Sequence, residues 1–172
     1  ILKAGACCVN CNPIYTASEL NHQLNDSESK MVFCMDHPEF YPNTVQAIKG
    51  TGVETVVVCN IKSYLPKVKA FLGSVLGKIP KADHHEPGHL MYDDMVASSS
   101  PNPPQIAVDP EKDTAVMLYT GGTTGVPKGA ELVHTNFTYD VAALETYGRF
   151  VHEPGKPPEP PRRASILPGT RR

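Results

Sequence analysis

The chain has 172 residues, 40% of them hydrophobic and 20% charged, with a net charge of −2; this is the balance of an ordinary soluble domain long enough to bury a core. Such a charge gives no electrostatic footing for nucleic acid as a partner, and no apolar run reaches the roughly 18 residues that a membrane-spanning helix needs. The opening Ile1-Leu2-Lys3-Ala4-Gly5-Ala6 has no basic region ahead of an apolar stretch, so no signal peptide is expected. A first residue other than Met suggests either a missing N-terminal part or processing.

Thr16-Ala17-Ser18-Glu19 has the spacing of a capping box and predicts a short helix through Leu20, Leu24 and Asn25. Met31 to Met35 is a compact apolar run and reads as a strand. Phe40 to Lys49 predicts a helix stopped by Gly50 and Gly52. Val53 to Cys59, with three consecutive valines, predicts a strand buried on both faces. Leu65, Val68, Leu72, Val75, Leu76 and Ile79 then recur at helical spacing, with Lys67, Lys69 and Lys78 off the stripe. Pro66 is tolerated in the first turn. That stripe is expected to face the core rather than a membrane.

From Pro80 to Lys112 the pattern fades into loop composition, most clearly over Ser98 to Pro104. Thr114 to Tyr119 predicts another strand, Ala130 to His134 a short one, and about Asn136 to Tyr147 a helix. Strands alternating with helices imply an α/β fold with a mostly parallel sheet and flanking helices. The five cysteines, Cys7, Cys8, Cys11, Cys34 and Cys59, include one C-x-x-C but no second ligand pair. They are expected to be free thiols, with Cys34 and Cys59 as small buried hydrophobes.

Between the last two strands lies the segment that carries chemistry, Tyr119-Thr120-Gly121-Gly122-Thr123-Thr124-Gly125-Val126-Pro127-Lys128-Gly129. Gly121, Gly122, Gly125 and Gly129 permit positive φ and close approach to a ligand. Exposed amides in such a turn form an anion-binding concavity. Thr120, Thr123 and Thr124 bring hydroxyl donors, and Lys128 brings a mobile charge. Lys128 stands between Pro127 and Gly129, so the loop is not of the Walker type, which needs Gly before Lys and Ser or Thr after it.

This loop, continuing into Ala130-Glu131-Leu132-Val133-His134-Thr135-Asn136, resembles the signature loop of the adenylate-forming superfamily. That group holds acyl-CoA synthetases, luciferases and the adenylation domains of nonribosomal peptide synthetases. The double glycine resembles the long-chain fatty acid–CoA ligases, as does Asn10-Cys11-Asn12-Pro13-Ile14-Tyr15-Thr16-Ala17-Ser18-Glu19-Leu20 with His22 to Ser27. The resemblance covers about residues 1–150 and implies part of the large N-terminal domain of such an enzyme.

It further implies activation of a fatty acid by ATP with Mg2+ to an acyl-adenylate and pyrophosphate, followed by attack of the coenzyme A thiol. Thr120, Gly121, Gly122, Thr123, Thr124, Gly125 and Lys128 would then cradle the β- and γ-phosphates, with Lys128 as an electrostatic clamp rather than a nucleophile. The partners implied are fatty acid, ATP and coenzyme A, in a cytoplasmic protein that contacts membranes at most peripherally. An aryl-acid or amino-acid adenylating enzyme, and a non-catalytic nucleotide-binding module, are the alternatives.

After Phe150 the resemblance fails. Residues 151–172 form a Pro/Arg-rich tail in which Leu167-Pro168 alone is faintly similar, so a disordered segment or one out of register through a frame shift is expected. The adenine, ribose, acyl and coenzyme A sites would lie beyond residue 172, and the chain alone is expected to be inactive.

His85-Glu86-Pro87-Gly88-His89 matches the H-E-x-x-H zinc pattern in letters only. Pro87 and Gly88 forbid the helix that would align the two histidines, so an exposed polar loop and no metal site are expected. Asp36-His37 and Asp93-Asp94 read as solvated acidic loops, and His134 as a structural histidine near a strand end.

Overall fold

The structure, a computed structural model, describes residues 1–77, 79–102, 104–120 and 127–152. Its strands are β1 (Cys8–Asn10), β2 (Met31–Met35), β3 (Thr55–Cys59), β4 (Leu90–Met91), β5 (Thr114–Thr120) and β6 (Lys128–Val133). Its helices are α1 (Ala17–Asp26), α2 (Phe40–Ala47), α3 (Lys67–Val75), α4 (Tyr92–Ser98) and α5 (His134–His152). The chain divides into two compact units, one of Cys11–Pro101 and one of Ile1–Asn10 with the residues from Asn102 onward.

In the first unit β2, β3 and β4 form a parallel sheet in that order, with Met31 opposite Thr55 and Val57 opposite Leu90. The central strand is the valine run: Val56, Val57 and Val58 are all buried, as a strand covered on both faces requires. β2 alternates instead, with Val32 and Cys34 buried and Met31, Phe33 and Met35 turned outward. Leu20, Leu24, Val32 and Ala47 make one core cluster, and Cys34, Tyr41, Val56, Val58 and Ala82 make another.

α1 begins where its sequence says it should. The Thr16 hydroxyl accepts from the Glu19 amide at 3.3 Å, and the Glu19 carboxylate accepts from the Thr16 amide at 2.8 Å. Two of the orphan donors of the first turn are thereby satisfied, and these bonds hold the Glu19 carboxyl below its ordinary pKa. α2 ends at Ala47, and the chain turns at Gly50 with φ of +74°, the left-handed region that glycine adopts without strain.

Three expectations need correction in this unit. The α3 stripe does not face a core: Val68 is 70% exposed, Phe71 68% and Val75 68%, while Ala70, on the opposite side, is buried at 8%. The stretch over which the sequence pattern fades, with Asp93-Asp94 read as loop, contains β4 and α4. The two residues of β4 carry no period of their own and are strand only because Val57 and Val58 offer a ladder edge.

Asp36, finally, is not solvated but 3% exposed. Its carboxylate accepts from the Ala82 amide at 2.8 Å, lies 2.9 Å from His85 Nε2 and 3.4 Å from Asn60 Nδ2. Burial of a charge is tolerated where such donors surround it.

The second unit carries β1, β5 and β6 in the order β1-β5-β6. β1 and β5 are parallel, with Cys8 opposite Val116 and Asn10 opposite Leu118. β5 and β6 are antiparallel, so the sheets together are mostly but not wholly parallel. α5 runs from His134, two residues earlier than expected, through His152. The remainder of the Pro/Arg tail, from residue 153, lies outside the described residues.

Candidate functional site

The glycine-threonine segment closes the β5–β6 hairpin. Tyr119 pairs with Gly129 and Thr120 with Lys128, leaving seven residues, from Gly121 to Pro127, between the two strands. The Thr120 hydroxyl donates to the Lys128 carbonyl at 3.5 Å, a long bond across the mouth of the loop. The side chains of Thr120 and Lys128 are both exposed.

Of the seven candidate residues, Thr120 and Lys128 are thus brought face to face. Gly121, Gly122, Thr123, Thr124 and Gly125 lie outside the described residues. Backbone pairing at the end of a two-stranded ladder thus sets the Thr120 and Lys128 side chains side by side, a hydroxyl donor next to the stem of a cation.

Gly129 has a different reason for being glycine than the one the sequence suggested. It is not among the positive-φ residues. A Cβ placed there would stand 3.0 Å from Tyr119 Cζ and 3.2 Å from its hydroxyl oxygen. The Tyr119 ring lies across the strand over Gly129, in the cross-strand pairing by which an aromatic covers a sheet glycine. It therefore packs on the rung next to the last, with Thr120–Lys128 the final pair before the loop.

Beyond the hairpin, β6 passes directly into α5. The Asn136 side chain accepts from the Val133 amide at 2.8 Å, and the Thr135 amide donates to the Pro110 carbonyl at 2.9 Å. These bonds hold the turn from strand to helix, and half-buried His134 is the first residue of α5. On β5, Thr114 donates to the Glu131 carboxylate at 3.2 Å. Cys7, just before β1, has its thiol pKa pushed up by partial burial, with the nearby Cys8 and Glu131 adding to the effect.

The H-E-x-x-H segment is not helical. Tyr41 lies between its two histidines: its hydroxyl is 2.7 Å from His89 Nδ1 and accepts from the Glu86 amide at 2.7 Å, and its ring meets that of His85 edge-on. Burial pushes the Tyr41 hydroxyl pKa up. The segment is a loop as expected, with Glu86, Pro87 and Gly88 exposed, but its two histidines are half-buried against Tyr41. Among the described residues no group of three or more His, Cys, Asp or Glu is placed to hold a metal ion. The five cysteines are free thiols.

The profile of the family described as "AMP-binding enzyme" matches residues 1–166. The chain belongs to that family. Its relatives include the long-chain-fatty-acid–CoA ligase of Escherichia coli O157:H7, 35% identical over 166 residues, which cover 91% of this chain and 28% of that protein. The ligase of the same name from Bacillus subtilis is 32% identical over 139 residues, covering 79% of this chain and 24% of its own.

Among solved structures, a long-chain-fatty-acid–CoA ligase from Archaeoglobus fulgidus is 31% identical with a TM-score of 0.57, over 81% of this chain and 22% of that one. An anthranilate CoA ligase, at 21% identity and a TM-score of 0.62, shares the fold over 87% of this chain and 24% of its own. The chain spans about a quarter of the length of these curated relatives, 28% of one and 24% of the other.

Proposed function

We propose that the protein carrying this chain activates a fatty acid with ATP and transfers it to coenzyme A, and that residues 1–150 are the phosphate-holding part of its N-terminal domain. The observation that carries this reading is the Thr120–Lys128 hairpin end, standing in a chain 31–35% identical to long-chain-fatty-acid–CoA ligases by both sequence and structure.

In this reaction the fatty acid carboxylate attacks the α-phosphorus of ATP and pyrophosphate departs with its electron pair. The thiol sulfur of coenzyme A then attacks the acyl carbon, loses its proton, and AMP leaves. Thr120, Thr123 and Thr124 donate to the β- and γ-phosphate oxygens, and Gly121, Gly122 and Gly125 let the backbone amides approach them. Lys128 offsets the charge that grows on pyrophosphate as it leaves.

Mg2+ arrives on the triphosphate as part of that substrate. The exposed Thr120 hydroxyl is a hard oxygen donor of the kind this ion takes.

The acyl, adenine and coenzyme A pockets are proposed to come from polypeptide outside these 172 residues, so the chain alone binds phosphate without turnover. We place the protein in the cytoplasm with contact at the membrane periphery, because long acyl chains partition into bilayers at about 0.8 kcal/mol per methylene. Among the described residues no helix is long and apolar enough to cross a membrane.

Carboxylate-dependent ATP–pyrophosphate exchange on the full-length gene product tests the reading. Acids from acetate to palmitate, with benzoate and amino acids, are compared. Exchange that peaks with long-chain acids supports it; a peak with benzoate or an amino acid moves the assignment to another branch, and no exchange with any acid removes it.

A further inference from the structure

α3 turns its apolar stripe to solvent. At about 100° per residue, Val68, Phe71, Leu72, Val75 and Leu76 span an arc of about 140°, and buried Ala70 lies opposite its centre. All five stripe residues are at least half exposed, from 51% at Leu72 to 70% at Val68. Tyr64, in the turn just before the helix, is 68% exposed as well.

The charges carried by the segment itself are of one sign. Residues 61–82 hold Lys62, Lys67, Lys69, Lys78 and Lys81 and no acidic residue, in a chain whose net charge is −2. Lys62, Lys69 and Lys81 are exposed, and Lys69 falls at the rim of the apolar arc. Asp93 approaches the segment, where the Ser63 hydroxyl donates to its carboxylate in the turn ahead of α3.

We propose that this face of α3 docks on an anionic lipid surface, lying in the interface plane with the stripe among the acyl chains and the lysines at the headgroups. Both halves of the recognition are on the molecule: an apolar arc turned to solvent, and a segment whose own charges are all lysines, which anionic headgroups complement and neutral ones do not. Helices of this composition bind through apolar area and electrostatics together, so binding needs both. The proposal names the surface for the membrane contact stated above and rests on that reading for its purpose. Vesicle-free ATP–pyrophosphate exchange reports on the catalytic reading separately.

Co-sedimentation with vesicles of equal phosphatidylglycerol and phosphatidylcholine tests it, using both the 172-residue chain and the full-length gene product. Both are expected to pellet at about 0.1 M salt, to bind pure phosphatidylcholine vesicles roughly tenfold less, and to be released at about 0.5 M. Phe71→Asp with Leu72→Asp is expected to lower the bound fraction roughly tenfold or more without moving the unfolding midpoint. Tyr139→Asp, on the exposed side of α5, is expected to leave binding unchanged.

Equal binding to neutral vesicles overturns the proposal, as does binding that survives the α3 substitutions. Binding by the 172-residue chain that is absent from the full-length product also overturns it, because the face is then covered by polypeptide. So does a fall in unfolding midpoint in the α3 variant of the full-length product, which marks the face as core.

Discussion

α1 and α3 look alike as strings of residues and end in opposite environments. Both carry leucines at helical spacing, and both follow a strand-and-turn segment. In α1 the stripe of Leu20, Gln23 and Leu24 is buried, with Leu24 at 1% exposure. In α3 the stripe faces water, while Ala70 on the other side is buried. A helical period states that one face differs from the other; what lies against that face is decided by elements distant in sequence. For α1 these are Val32 of β2 and Ala47 of α2, which complete one cluster with Leu20 and Leu24.

The contrast is sharpest in a pair of truncations. Leu24→Ala is expected to destabilise the chain by about 3 kcal/mol, the cost of lost transfer energy and a residual cavity. Leu72→Ala should change stability by less than about 0.5 kcal/mol, as exposed substitutions do. Urea unfolding of the two variants measures the difference, and similar values would mean that the α3 face is packed.

A second truncation concerns the donors gathered around Asp36. Asp36→Ala strands the Ala82 amide and removes the acceptor from His85, with an expected loss of about 2 kcal/mol in the same assay. Thr16→Ala removes one half of the capping box and should cost about 1 kcal/mol. It bears on how far α1 owes its position to its own cap rather than to β2 and α2.

A further effect shows only at alkaline pH. Burial, helped by the neighbouring Cys59, pushes the Cys34 thiol from 9.0 up to about 12. A group whose folded pKa is raised contributes stability that is fully present below its unfolded pKa. Its share is therefore intact to about pH 9 and lost between there and about 12. Wild type should lose more stability than Cys34→Val across that window, and parallel curves would show that the thiol is not shielded.

Legibility in the sequence followed the range of the interactions involved. The α1 cap is complete within Thr16–Glu19, and the central strand needs only its own three valines to announce burial on both faces. The strands β5 and β6 were legible for the same reason, each being a contiguous run, whereas their antiparallel pairing was not. Where structure depends on distant partners, the sequence was silent. β4 exists through Val57 and Val58, and Asp36 is acceptable in a core because Ala82, His85 and Asn60 surround it.

α4 did leave a local trace, the acidic pair Asp93-Asp94 in its first turn, where a helix N-terminus favours negative charge. Gly129 shows the converse error: a glycine beside a glycine-rich loop suggests backbone freedom, whereas its need is room for the Tyr119 ring.

The central claim is that the end of the β5–β6 hairpin holds a triphosphate. It is tested most directly by palmitate-dependent ATP–pyrophosphate exchange in the full-length gene product, comparing wild type with Lys128→Ala. Lys128 is exposed, so the unfolding midpoint should not move. The exchange rate should fall on the order of 100-fold, the loss expected when one charge-stabilising donor is removed from a transition state. An unchanged rate in a folded variant would contradict the account.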